Sequence, residues 1–157
     1  MNNVVIEIYD WIQDISWYFG NQGFNSECCE DLSLIEFMAL KKVQGKTNCS
    51  IQELGSSLNI TKSGSSKIID RLEDKGYVRR SQSSEDGRVC CVEITEKGID
   101  TVTKIIENYT DYVNTMLNEL STDSINEIRN ALGILMVRIQ KKGFIKSTKS
   151  EIGEQSC

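Results

Sequence analysis

Apolar residues recur at helical spacing over most of this chain. Val4, Val5, Ile8, Ile12, Ile15 and Phe19 follow that spacing, with Trp11, Trp17 and Tyr18 beside them. The spacing predicts a helix over residues 3–19 that is apolar on more than one face, ended by Gly20 and Gly23. A loop over 21–31 follows. Ser33-Leu34-Ile35-Glu36 is a capping box that opens a second helix, with Leu34, Phe37, Met38 and Val43 inward and Gly45 past its end. Ser50-Ile51-Gln52-Glu53 is another capping box, opening a short helix with Ile51, Leu54 and Leu58 inward. Asn59 and Ile60 make a turn. Thr61 is an N-cap for the next helix, which runs to about Lys75 and buries Ile68, Ile69 and Leu72. Gly76 stops it at the position just beyond the C-cap.

The pattern then changes. Tyr77–Arg80 and Val89–Ile94 read as short strands joined by the polar stretch Ser81–Arg88, with Asp86-Gly87 as the turn signal. Thr95 caps a long helix whose stripe is Val102, Ile106, Tyr109, Val113, Leu117 and Leu120. Ser121 and Thr122 break it. A last helix shows Ile125, Ile128, Leu132, Leu135 and Ile139, with Ile134, Met136 and Val137 on flanking faces. The fold class is therefore mainly α, an α+β winged helix: a helix-turn-helix lobe with a two-stranded wing, plus helices at both ends. Those end helices carry more apolar surface than one small lobe can cover, so a second copy of the chain is expected to bury it. The expected organisation is a dimerisation region at 1–30 and 99–146, a DNA-binding lobe at 31–98, and a polar tail at 147–157.

Helix, turn, helix and wing in that order can place one helix in a DNA major groove and an arginine beside it. The helix from Thr61 carries Lys62, Ser63, Ser65, Ser66 and Lys67 near its start, with Arg71 one turn on. Short hydroxyls can reach base edges or phosphates without holding a helix out of the groove, and lysine or arginine can pair with phosphate or guanine. The helix N-terminus itself favours phosphate. In the wing, Asp86 and Arg88 flank Gly87, so a carboxylate can hold a guanidinium ready for a narrow minor groove.

Net charge is −5, which alone argues against a nucleic-acid partner. Its distribution does not, because residues 61–91 sum to +2 and the remainder to −7. Hydrophobic content of 39% and charged content of 26% are those of a soluble globular protein. No apolar run reaches the roughly 20 residues of a membrane span, and no signal peptide is evident, so the expected place is the cytoplasm. Histidine is absent, which removes histidine general bases and histidine-dependent nucleophiles. No nucleophile motif, phosphate loop or acid pair appears, so an enzyme is not expected and no cofactor is implied.

The stretch resembles the MarR family of winged-helix regulators (multiple antibiotic resistance regulators). The residues that carry the resemblance are Leu32-Ser33-x-x-Glu36-Phe37-x-x-Leu40 and Glu53-Leu54-Gly55-x-x-Leu58. They continue in Lys67-Ile68-Ile69-Asp70-Arg71-Leu72-Glu73-x-x-Gly76-Tyr77-Val78-x-Arg80, then Asp86-Gly87-Arg88 and Ile94-Thr95-x-x-Gly98. The resemblance implies a triangular homodimer on a pseudo-palindromic operator of double-stranded DNA, with Ser65, Ser66 and Lys67 at bases and phosphates and Arg88 at the minor groove. Ser65 and Ser66 stand where many members have an apolar residue and a threonine, and Lys67 where arginine is common.

The resemblance also implies an effector: a small aromatic or amphipathic ligand, a metal, or thiol oxidation. Trp11, Trp17, Tyr18 and Phe37 are the candidate lining of an apolar ligand pocket. Of six cysteines, Cys28, Cys29 and Cys49 lie near helix starts, where a thiol is activated, and Cys90-Cys91 alternate on a strand. These five are candidate thiol sensors, and pairs from different segments could bind a soft metal. No metal site is expected from the spacing itself. The reading is a dimeric repressor released by a ligand; the alternatives are a thiol- or metal-sensing repressor and a winged helix kept for protein contacts.

Overall fold

A computed structural model describes residues 3–22, 31–82 and 90–142. The chain divides into two compact units, Met1–Asp111 and Tyr112–Cys157. The first unit opens with helix α1 (Asn3–Ser16), continued by a wider π-helical stretch over Trp17–Gln22. It continues through α2 (Leu34–Gln44), strand β1 (Cys49–Ser50), α3 (Ile51–Leu58) and α4 (Lys62–Asp74). Strands β2 (Val78–Gln82) and β3 (Cys90–Ile94) follow, and then α5 (Glu96–Leu117), whose residues from Tyr112 onward belong to the second unit. Helix α6 (Thr122–Lys142) lies in the second unit.

Both capping boxes form. Ser33 Oγ accepts from the Glu36 N–H while the Glu36 carboxylate accepts from the Ser33 N–H, and Ser50 and Glu53 repeat the exchange at α3. Gly76 adopts φ +79°, and the Gly76 and Tyr77 N–H groups donate back to the Glu73 and Leu72 carbonyls at 2.8 and 2.9 Å. That is the Schellman pattern, and it turns the chain directly from α4 into β2.

The sheet has the order β1-β3-β2 and is antiparallel throughout. Val78 pairs with Ile94 and Arg80 with Val92 on one side, while Cys49 pairs with Val92 on the other. Strand β1 was not expected from the sequence, since two residues are too few to show a period. The core lies under this sheet, built from Phe37, Leu40, Leu54, Ile69, Leu72, Tyr77, Val92, Val102 and Ile105.

Three inward assignments change. Leu34 and Met38 are 41% and 36% exposed, because the core-facing residues of α2 are Glu36, Phe37, Ala39, Leu40 and Val43. In α5 the buried positions are Gly98, Thr101, Val102 and Ile105, with Ile106 exposed. Val113 and Leu117 of the same stripe are half-buried. Helix α1 buries no residue, and α6 leaves Leu132, Ile134, Met136, Val137 and Ile139 exposed. Among the described residues no helix is long and apolar enough to cross a membrane.

Candidate nucleic-acid interface

Helix α4 is fixed on one side and open on the other. Thr61 caps it by accepting from the Gly64 N–H at 3.1 Å. Asn59, in the left-handed region at φ 55°, ends α3 and turns the chain into α4. Ile68, Ile69 and Leu72 anchor the buried face. Thr61, Lys62, Ser63 and Lys67 are exposed, Ser66 is half-buried, and neither Lys62 nor Lys67 makes an ion pair among the described residues.

Ser65 does not belong to that face. It is fully buried, and its hydroxyl donates to the Thr61 carbonyl at 2.9 Å. A side chain on Gly55 would overlap the Ser65 Oγ, so Gly55 and Ser65 mark where α3 crosses α4. Ser65 is therefore a packing residue in a close helix crossing, consistent with the apolar residue that many members carry there. The expected wing contacts, Asp86 and Arg88, lie outside the described residues, as do Cys28 and Cys29.

Electrostatics on α4 are set by partners from other elements. Arg80 of β2 pairs with both Asp70 and Glu73, and its backbone N–H donates to Glu73 at 2.9 Å. Two carboxylates that would repel a phosphate are thereby neutralised. Arg71 is half-exposed, but its Nε donates to Glu36 Oε1 at 2.6 Å. Lys75 Nζ donates to Glu36 Oε2 at 3.1 Å and to the Asp31 carbonyl at 2.5 Å. The Tyr77 hydroxyl donates to Asp31 Oδ1 at 2.8 Å. The Glu36 link was not legible in the sequence. Its capping spacing was visible, but its partner stands 35 residues away.

Burial pushes the Glu36 carboxyl up, but the Ser33 N–H, Arg71 and Lys75 together outweigh it and hold the group at about 2, against 4.5 ordinarily. A depressed folded-state pKa stabilises the fold above the unfolded value and is lost as pH falls through it. Thermal melts should therefore show a stability loss between about pH 4.5 and pH 2. The variant Glu36→Gln, less stable at pH 7, should lose less over that window. An equal acid limb in both proteins would remove Glu36 as its source.

Among the described residues, the four candidate pocket residues are not gathered into one enclosed site. Phe37 sits in the lobe core, while Trp11, Trp17 and Tyr18 are 62%, 56% and 59% exposed. Trp11 lies on α1, which buries no residue, and Trp17 and Tyr18 lie on the π-helical stretch that continues it. A cleft of about 450 Å³ lies instead between the end of α2 and α3, lined by Met38, Lys41, Lys42, Lys46, Cys49 and Glu53 among others. Of the candidate thiols, Cys49 and Cys91 are buried and Cys90 is exposed. Burial pushes the Cys49 thiol up, which opposes the activation expected from its place before a helix. Among the described residues no group of three metal-ligating side chains is gathered.

A capped helix seated on a short helix, flanked by a β-ribbon and open along its leading face, defines a winged-helix DNA-binding lobe. Comparison with known proteins finds regulators of that class. The MarR family model matches residues 32–90. The transcriptional repressor MprA of Escherichia coli (strain K12) is 27% identical over 119 residues, 73% of this chain and 68% of that protein. The transcriptional regulator BldR from Sulfolobus solfataricus is 27% identical at a TM-score of 0.70, over 88% of this chain and 100% of that one. FabT of Streptococcus pneumoniae, solved in complex with DNA, shares the fold at a TM-score of 0.74 and 17% identity, over 90% of this chain and 98% of that one. Residues 32–90 match the MarR family of winged-helix regulators, and the relatives to which the chain is similar are transcriptional regulators, not enzymes.

Proposed function

We propose that this regulator is a cytoplasmic homodimer that binds a pseudo-palindromic operator, represses transcription, and is released by a small amphipathic ligand. The observation that carries the reading is the open leading face of α4, with Lys62 and Lys67 unpaired among the described residues while Asp70 and Glu73 are neutralised. Thr61, Lys62, Ser63, Ser66 and Lys67 would meet the major groove, with Arg71 further along and Asp86 and Arg88 at the wing. The dimer reading rests on α1 and α6, each with an uncovered apolar face. Residues 1–30 and 99–146 would form the dimer, 31–98 the reading lobe and 147–157 the tail. The two recognition helices must then stand about 34 Å apart to enter successive major grooves. The FabT complex supports DNA as the partner, and the MprA likeness supports repression.

The lysine-rimmed cleft beside α2 is where an anionic ligand would fit, with Met38 and Cys49 as its apolar wall. The thiol-sensing alternative rests on Cys90, the exposed thiol of β3. Operator binding that is insensitive to oxidant would remove it.

Fluorescence anisotropy with the chain's own promoter duplex tests the reading. Binding should prefer that duplex over a scrambled one and fall steeply with salt. Lys67→Ala should weaken binding about tenfold and lower the salt slope by about 1. Sedimentation should give twice the chain mass. Equal affinity for scrambled duplex overturns the operator reading, and an operator-binding monomer overturns the dimer.

A further inference from the structure

We propose that Glu36 is a positioning residue for DNA recognition, holding the Arg71 guanidinium by its Nε so that the opposite edge faces the nucleic acid. This rests on the reading of α4 as the helix that enters the groove.

The carboxylate has two tasks, and one of them does not explain its position. It completes the capping box of α2 by accepting from the Ser33 N–H at 2.9 Å. Glu53 does the same for α3, accepting from the Ser50 N–H at 3.0 Å, and does so while its side chain is about half exposed. Capping therefore needs no burial. Glu36 is 4% exposed at its side chain, a costly place for a charge unless cations surround it. Those cations are Arg71 and Lys75, both from α4 or its last turn. The buried carboxylate thus belongs to α2 by its cap and to α4 by its charge.

What Glu36 does to Arg71 follows from guanidinium geometry. The planar fork has five N–H donors, and the Nε–H is committed to Glu36 at 2.6 Å. The side chain remains half-exposed, so the rest of the fork is open to an acceptor. A free arginine loses side-chain entropy when it grips phosphate or guanine. One already held at Nε loses less, so the bound contact forms at lower cost. Arg71 stands one turn beyond Lys67 on the same helix, two turns beyond Ser63, which places it along the line of the exposed face. Lys75 has the remaining carboxylate oxygen and the Asp31 carbonyl, which keeps it out of the way of that edge and ties the end of α4 to the start of α2.

A structural role and a positioning role separate in a double-mutant cycle read by anisotropy against the promoter duplex, with thermal melts alongside. Glu36→Gln can keep the cap but loses the charge, and should weaken operator binding about tenfold, the loss of one charge-assisted contact. Arg71→Ala should weaken it by a similar factor. The double variant should bind no worse than Arg71→Ala, and the melting-temperature loss from Glu36→Gln should shrink once Arg71 is gone. Arg71→Lys keeps charge without the Nε–H and should resemble Glu36→Gln, which preserves the test if that variant fails to fold. Ser33→Ala, which weakens the cap alone, should lower the melting temperature and leave affinity unchanged. Multiplying losses in the double variant, wild-type affinity in Glu36→Gln, or wild-type affinity in Arg71→Lys would each overturn the proposal. Failure of the unmodified chain to bind promoter DNA would instead overturn the DNA reading itself.

Discussion

Replacing Gly98 with alanine should cost about 3 kcal/mol of stability and lower the melting temperature by roughly 10 °C. Gly98 is a buried residue in the first turn of α5. Its N–H donates to the Thr95 Oγ1 at 3.1 Å, and that hydroxyl donates to the Gly76 carbonyl at 2.8 Å. The Thr95 N–H donates in turn to the Tyr77 carbonyl at 3.0 Å. A methyl group on Gly98 would overlap the Tyr77 carbonyl oxygen and lie 2.7 Å from Ile94 Cγ1. The first neighbour is backbone and is held by its own hydrogen bond, so it cannot swing aside. The junction of β3 and α5 must therefore open, and that junction also seats the turn that ends α4. Gly133, in the middle of α6, has nothing within 4 Å of the same methyl. There, alanine should stabilise by about 0.5–1 kcal/mol, through lower chain entropy in the unfolded state. Circular-dichroism melts of the two variants check the contrast, and a Gly98→Ala protein melting with wild type would refute the packing account.

Arg80→Ala should reduce operator affinity by roughly 10- to 100-fold at low salt. Arg80 contributes nothing to the exposed face of α4 directly. It neutralises Asp70 and Glu73, and those carboxylates raise its own pKa further, Asp70 first. Without it, two negative charges on the recognition helix approach a negative backbone. The loss should shrink as salt rises, because screening acts on exposed charges, and Asp70→Asn in the same chain should recover part of it. Arg79 is the contrast. Its pair with Glu93 is exposed, and Arg79→Ala should change stability by less than about 1 kcal/mol. A salt-independent loss in Arg80→Ala would point to a distorted helix rather than to repulsion.

Much of this was written locally. The caps at Ser33, Ser50 and Thr61, the stop at Gly76 and the start at Thr95 all appear where residue chemistry placed them. Each is decided within three or four residues, where side-chain and backbone groups compete for the same bonds. The outward and inward thiols of Cys90 and Cys91 followed from strand alternation in the same way.

Other features depended on segments far apart in sequence. Five serines and lysines near the start of α4 look alike in sequence, yet Ser65 is enclosed because Gly55 of α3 lies against it. The apolar stripe of α5 predicts one inward face, but the lobe takes the Thr101–Ile105 side and Ile106 is exposed. Trp11, Trp17 and Tyr18 share helical spacing with core residues, yet among the described residues they stay exposed.

The sequence by itself determined the element order, the caps and the helix-turn-helix-wing motif, because these follow from periodicity and short-range hydrogen bonding. Tertiary structure alone decided which polar residues of α4 face outward and which cations are already taken. A carboxylate at 36 meets a guanidinium at 71 only after two helices pack, and the donors gathered there keep the carboxyl ionised against its burial. Long-range ion pairing has no period along the chain, so no pattern of residues announces it.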